Sequence, residues 1–388
     1  MRRSWFASAA LSLLLPAVFR GQTPKSPESF EQVAARARAA MDAEHVPEAI
    51  GLFERATQLR PQWTEGWWYL GALLYDAGRF ERAREAFGQF VKLERQQPGP
   101  GYAMLGLSAF QLKRYEEALG ALERGRQLGL GSNPVFRRSV LYHVGILDNL
   151  LGQPELAVKR LTLAANYIAE AHPEGPQQAV LADRELVDAL GMAALRIPKL
   201  PAGLPPSQTG MVRLAGRAQA LIAMQDRVAA DLEFKQLLAL YPAEPGVHYF
   251  YGVFLLKEHP ELASAEFHKE LEISPTNAAA RIQIAFERLN AADYEQGLKY
   301  AREAIALTPK DFAAHVICGR LYLALGKTEG ALEELQTAVK LAPDSPDAHF
   351  ALSRALAQAG RPEEAARERA EFEKLRAEVD AADKRSGQ

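Results

Sequence analysis

The sequence predicts an all-α chain built from a repeated helical hairpin, and three observations carry that reading. Pro275, Pro309 and Pro343 stand 34 residues apart, Ala331 and Ala365 keep the same step, and so do His315 and His349. A fixed period of this length marks a stacked array of helix-turn-helix units rather than one closed core. Good helix formers (Ala, Leu, Glu, Arg, Gln) dominate, Val and Ile are sparse, and no alternating strand pattern stands out. Finally, 388 residues would make an unusually large single core. A repeat array escapes that limit because each unit packs on its neighbours.

The N-terminus stands apart from the array. Arg2 and Arg3 precede an uncharged run from Ser4 to Phe19, and Arg20 closes it. The run is short for a membrane span and suits a signal-peptide core. Cleavage between Gly21 and Gln22 is the best choice, although Phe19 then occupies a position that prefers a small residue. An uncleaved anchor is the alternative. The arginine pair, followed by Trp5 and Phe6, matches a twin-arginine signal only loosely, and no lipoprotein cysteine follows. Thr23 to Ser29, with two prolines, read as a tether.

The hairpins follow in order. The first contains Ala49, Phe53, Ala56 and Pro61. The second places Trp67, Leu70, Gly71 and Leu74 on helix A and Ala83, Phe87 and Phe90 on helix B, with Asp76 to Arg79 as the turn. The third has Tyr102, Leu105, Gly106, Tyr115, Ala118 and Leu122; the fourth has Leu141, Gly145, Ala157, Leu161 and Ala164. After an interruption come Leu214, Ala230, Phe234 and Pro242, then Gly252, Ala263, Phe267 and Pro275, one residue short in the turn. Ala285, Tyr294, Ala304 and Pro309 form the next, and Cys318, Gly319, Tyr322, Ala331, Leu335, Ala338 and Pro343 another. His349, Leu352, Leu356, Ala365 and Phe372 close the series of nine.

This pattern resembles the tetratricopeptide repeat: Trp-x2-Leu-Gly-x2-Tyr on one helix, Ala-x3-Phe-x2-Ala on the next, then Pro. The resemblance covers most of residues 30–379 and implies a right-handed α-solenoid. The spacing has physical reasons. Gly and Ala at the eighth and twentieth positions let the paired helices approach closely, and large residues fill the stripe between neighbours. Proline ends helix B because it cannot continue the hydrogen-bond ladder. Asn277, Asp311 and Ser345 stand where an N-cap is needed, and Pro346 follows Ser345 at the first helical position.

Two places depart from the template. Ala179 to Leu195 read as an orphan helix A, with Val187, Leu190 and Gly191 in phase; Ile197 to Pro206 then cannot be a helix interior. Glu363 to Lys384 read as a long charged helix capping the last repeat. The expected organisation is therefore 1–21 signal peptide or N-terminal anchor, 22–29 tether, 30–170 a block of four repeats, 171–210 orphan helix and Pro-rich insert, 211–379 a block of five repeats and 380–388 a charged tail. The insert reads as a linker; its alternative is to fold back and fill a groove.

No phosphate loop, His-Glu-x-x-His or Gly-x-Ser-x-Gly motif occurs, and no nucleophile–base pair suggests an enzyme. Formal net charge is −2, becoming −5 without the first 21 residues; with no basic block, a nucleic-acid partner is not expected. Cys318, the sole cysteine, reads as packing on a buried helix face. His248, His315 and His349 share the fourth repeat position, but packed helices about 8–10 Å apart cannot give one metal ion bonds of about 2 Å. Neither a metal nor a cofactor is expected.

In the family resembled, helices A line a concave groove. The matching positions here are Trp68, Tyr75, Leu107, Phe110, Tyr142 and Ile146, then Tyr249, Val253, Ile282, Phe286 and Phe350. This mostly apolar, aromatic set suits a hydrophobic or amphipathic peptide of a partner protein. The Lys/Asn carboxylate clamp of the family is absent. Arg320 and Arg354 hold the ninth position in adjacent repeats, where they could grip a ligand carboxylate as a fork or pair with acids of the array itself. The function expected is a non-catalytic scaffold or adaptor in envelope or secretion-related assembly. Its location is exported, periplasmic or secreted, with membrane contact only if the N-terminal segment is retained. Self-association through the groove stays open.

Overall fold

The computed structural model describes residues 28–386, with side chains to 378. The readings of residues 1–21 and of most of the tether lie outside the described residues. Among the described residues there are twenty α-helices and no strand. Two compact units are present: one runs to Ala193 and includes Ile197–Pro205, the other comprises Ala194–Arg196 and everything from Pro206 on.

The first unit contains four helical hairpins: α1 (Phe30–Asp42) with α2 (Val46–Leu59), α3 (Thr64–Asp76) with α4 (Phe80–Leu93), α5 (Gly99–Gln111) with α6 (Tyr115–Leu128), and α7 (Pro134–Leu150) with α8 (Pro154–Ala171). Two shorter helices follow, α9 (Pro176–Ala182) and α10 (Arg184–Ala194). The second unit contains five hairpins: α11 (Pro206–Ala223) with α12 (Arg227–Leu240), α13 (Val247–Leu255) with α14 (Pro260–Ile273), α15 (Ala278–Asn290) with α16 (Tyr294–Leu307), α17 (Phe312–Ala324) with α18 (Thr328–Leu341), and α19 (Pro346–Gln358) with α20 (Pro362–Ser386). Within each unit the second helix of one hairpin packs on the first helix of the next, and some successive first helices also touch: α5 with α7, α15 with α17, α17 with α19.

Local chemistry explains where the helices start and stop. Ser29 begins α1 with a reciprocal capping box to Gln32. Asn277, Asp311 and Ser345 accept from the backbone N–H of Ala280, Ala313 and Ala348, the N-caps expected. Most hairpins turn through one left-handed residue. Gly78, Gly152, Gly326 and Gly360 take that role, with φ between 69° and 82°, and Glu44, Lys113, Gln225 and Ala292 take it elsewhere. The hairpin of α13 with α14 departs from the expectation of a short turn: residues 256–259 separate its helices, one more than in the other hairpins, none of them left-handed, and the shortening falls instead on α13, which has 9 residues.

In five of the nine hairpins close approach rests on the eighth-position glycine. A Cβ on Gly71 would lie 2.8 Å from the Phe87 ring; on Gly106, 2.7 Å from Leu122; on Gly145, 2.6 Å from Leu161; on Gly252, 2.6 Å from Phe267; on Gly319, 2.4 Å from Leu335. Each partner is a large residue of the second helix, and all five are fully buried. Burying such a side chain stabilises the fold by about 1.5–3 kcal/mol, so the small residue opposite it is a packing requirement.

The region after α8 differs from the expectation. The orphan helix is broken at Asp183, whose carboxylate accepts from Leu186 N–H at 3.1 Å and so caps a new helix, α10. The same carboxylate pairs with Arg138 of α7 at 2.8 Å. One aspartate therefore competes with the helix ladder and wins, because it is both a cap and an ion-pair partner. The Pro-rich segment contains a short 3₁₀ turn, Pro201–Gly203, and belongs to the first unit, where Ile197 C=O accepts from Asn149 Nδ2 at 2.6 Å. At the other end, α20 carries the helix to Ser386, through most of the expected tail.

Gly319→Ala should cost about 1–3 kcal/mol, because Leu335 would have to leave its rotamer or the helices would have to separate. A thermal melt checks this; an unchanged midpoint would show that the pair tolerates a methyl at its closest point.

Candidate functional site

The residues expected to form a binding face all lie on first helices, but their environments differ between the units. In the first unit Trp68 and Tyr75 on α3, Phe110 on α5 and Tyr142 on α7 are half-buried. Trp68 leans on Phe87 and Phe90 of its own second helix, at ring distances of 5.7 and 5.2 Å. Tyr75 meets Phe80 edge-on at 5.3 Å. Phe110 and Tyr142 both stand edge-on to His143, at 4.9 and 5.5 Å. Leu107 and Ile146 are buried, so they serve packing. These side chains spend much of their surface sealing the hairpins.

The second unit is more open. Val253 on α13, Phe286 on α15 and Phe350 on α19 are 37–39% exposed. Tyr249 departs from the expected face: it is buried, packed on Phe267 at 5.9 Å and covered by the Arg196 guanidinium 5.1 Å above its ring. Ile282 is half-buried. Arg320 on α17 sets its guanidinium 5.6 Å from the Phe286 ring, a cation–π distance. Arg354 on α19 is exposed, and among the described residues neither arginine forms an ion pair. Of the two readings for this pair, neutralisation by acids of the array itself is therefore not what the structure contains.

The repeated histidines have a structural explanation that spacing alone did not reveal. Nδ1 of His248, His315 and His349 meets Glu266, Glu334 and Glu368 at 2.5, 2.6 and 2.6 Å. Nε2 meets the carbonyl of Pro242, Pro309 and Pro343 at 2.9, 3.1 and 3.0 Å. Both ring nitrogens are thus engaged within the repeat, tying the loop before helix A to helix B. An acid 18 or 19 residues after each histidine was the available sequence signal. Cys318 is fully buried, and burial pushes its thiol up to about 12, so it packs as expected.

Of the four buried carboxylates among the described residues, Asp148, Glu233, Glu266 and Glu270, none of which the repeat pattern marks, two stand out. Glu270 of α14 accepts from Gly246 N–H at 2.9 Å, Tyr249 N–H at 3.2 Å and Asn277 Nδ2 at 2.9 Å, capping α13 from the second helix of its own hairpin. Asp148 of α7 is 2% exposed and its Oδ2 has no hydrogen-bond partner. Burial pushes its carboxyl up to about 7; Arg160 and Arg126 oppose the shift and Glu123 reinforces it.

Tandem antiparallel hairpins, five of them closed by a glycine against a large residue and each packed on the next within its unit, define a helical-repeat protein of the protein-interaction class. The tetratricopeptide repeat family profile matches residues 34–103, 73–131, 284–346 and 318–371. The chain is a tetratricopeptide repeat protein, and proteins of this family serve in general as non-catalytic interaction scaffolds. Among solved structures it is similar to MamA from Desulfovibrio magneticus RS-1 (20% identity, 44% of this chain and 97% of that one, TM-score 0.39). It is also similar to yeast Tom70 (14% identity, 89% and 92%, TM-score 0.35). None of the curated proteins matches the chain.

Asp148 supplies a pH prediction. Its folded value, about 7, lies above the unfolded value of about 3.9, so the folded state holds the extra proton. Stability should fall as pH rises from about 4 to 7 and carry the full penalty above that. Asp148→Asn should therefore stabilise the chain more at pH 8 than at pH 5, by roughly 2–3 kcal/mol in the difference. Denaturant melts of both proteins at the two pH values measure it; parallel shifts would mean that Asp148 reaches solvent.

Proposed function

We propose that this chain is a non-catalytic scaffold that docks an extended or helical segment of a partner protein along its first-helix face, chiefly on α13, α15, α17 and α19. The observation that carries this reading is the row of exposed Val253, Phe286 and Phe350 beside Arg320 and Arg354, two arginines without acidic partners among the described residues. Apolar ledges flanked by unneutralised guanidinium groups suit a segment that presents hydrophobic side chains and a carboxylate, which two arginines can grip as a fork. Packing asymmetry supports a concave face. The successive first helices α15, α17 and α19 touch, and successive second helices do not do so to a comparable extent among the described residues. Such packing bends a unit toward its first helices.

The scaffold acts outside the cytoplasm, in the periplasm or secreted, in envelope or secretion-related assembly. The charged-apolar-charged pattern of residues 1–21 supports export, with the mature chain starting near Gln22.

One experiment addresses both parts. The full chain is expressed with benzoylphenylalanine in place of Phe286, on the first-helix face, or of Glu333, exposed on a second helix. Illumination in cells should crosslink position 286 to one discrete protein and position 333 to none. Phe350→Ala with Arg354→Ala should lower that yield at least several-fold with the melt unchanged. Equal capture at both positions, or none at 286, would remove the face from consideration. A product of twice the chain mass would identify self-association. The mass of the recovered bait reads the N-terminus: a start at Gln22 supports export with cleavage, and retention of residues 1–21 an anchored form.

A further inference from the structure

The break between α9 and α10 leaves a cleft of about 200 Å³ in the first unit, walled by α7, α8 and the start of α10. Its floor is apolar: Ala164, Ile168 and Leu186 line it and are all buried. One wall is aromatic, formed by Tyr142 and His143. The His143 ring is fixed there, its Nδ1 2.8 Å from Ser139 C=O, and burial holds it below its ordinary range, so Nδ1–H donates from a neutral ring.

The charges at the mouth do not balance. Arg138 is neutralised by Asp183, whose other oxygen caps α10. Glu185, also lining the cleft, forms no ion pair or hydrogen bond among the described residues. One negative charge is left over an apolar floor and beside an aromatic ring. The Tyr142 hydroxyl reports the same field: burial first, then Glu185, Asp183 and Asp188, push it well above its ordinary range.

Size and charge together select the occupant. Small-molecule sites commonly run to about 300–1,000 Å³, so a cleft of this size suits a single side chain better than a cofactor. An apolar floor with a negative, aromatic mouth matches an aliphatic stem ending in a cation. We propose that this cleft is a subsite for one lysine or arginine side chain of a bound protein segment, its stem on Ile168 and Leu186 and its charged head between Glu185 and the Tyr142 ring. The subsite rests on the scaffold reading above, since it assigns one residue of the partner; it lies on different helices from the face that reading uses.

The test needs no partner. The methyl groups of Ile168 and Leu186 in the full chain are observed by NMR during titration with N-acetyl-lysine methylamide, N-acetyl-arginine methylamide, N-acetyl-norleucine methylamide and N-acetyl-glutamate methylamide. The basic probes should shift both methyls saturably in the millimolar range and bind roughly fivefold or more tighter than norleucine. Glu185→Gln should weaken the basic probes about threefold while the melt stays unchanged. Norleucine or glutamate binding as tightly as the basic probes, no shift with any probe, or no effect of Glu185→Gln would each overturn the subsite. Because these readouts sit on α8 and α10, the subsite can fail while docking on α13 to α19 stands, and the reverse.

Discussion

A large side chain of the second helix seated on a glycine of the first is the contact on which five of the nine hairpins depend. Phe87 on Gly71, Leu122 on Gly106, Leu161 on Gly145, Phe267 on Gly252 and Leu335 on Gly319 are the same contact made five times. It sets the distance between paired helices, and that distance fixes which side chains remain to meet the next hairpin. The core is therefore a row of similar clusters, each drawing on neighbouring hairpins, with no central residue on which all others converge. Because packing is satisfied sideways, one face of the first helices is left for other work.

Where the repeat falters, polar groups take over. The turn from α9 to α10 is held by Asp183, shared between a helix cap and Arg138. The Pro-rich segment is tied down through Asn149 to the Ile197 carbonyl. At α13 the backbone N–H groups of Gly246 and Tyr249 are met by Glu270, which also binds the Asn277 amide that caps α15. Each device satisfies backbone groups that a regular hairpin would have satisfied by its own ladder or cap. The proposed side-chain subsite lies at the first of these faults, which gives the interruption a function as well as a geometry.

The fold was legible because its determinants are local and recur. Proline, N-cap and glycine each act within a few residues, and the 34-residue step repeats the signal; the step showed that the repeat of α13 lacks a residue but not that the helix, rather than the turn, would be the shorter part. The candidate binding face was legible only as a set of positions. Position says that Tyr249 and Val253 both lie on the outer stripe of α13, but exposure depends on what else comes near. Arg196, 53 residues earlier, covers Tyr249 and leaves Val253 open. Likewise Trp68 turns to Phe87 and Phe90 because large rings on its own second helix are within reach. The break at Asp183 was hidden for the same reason: its cause is Arg138, two helices away. Asp148 looked like any surface acid until α6 and α8 closed around it.

Stability in this fold is local, passed between neighbouring hairpins without a shared centre. Amide hydrogen exchange on Phe87→Ala tests this most directly, since that substitution empties one seat in α3 and α4. Exchange should be faster in α3 and α4, rise less in α2 and α5, and match the unaltered chain in α7, α8 and the whole second unit. A uniform rise from α1 through α8 would contradict it and show that the first unit melts as one core.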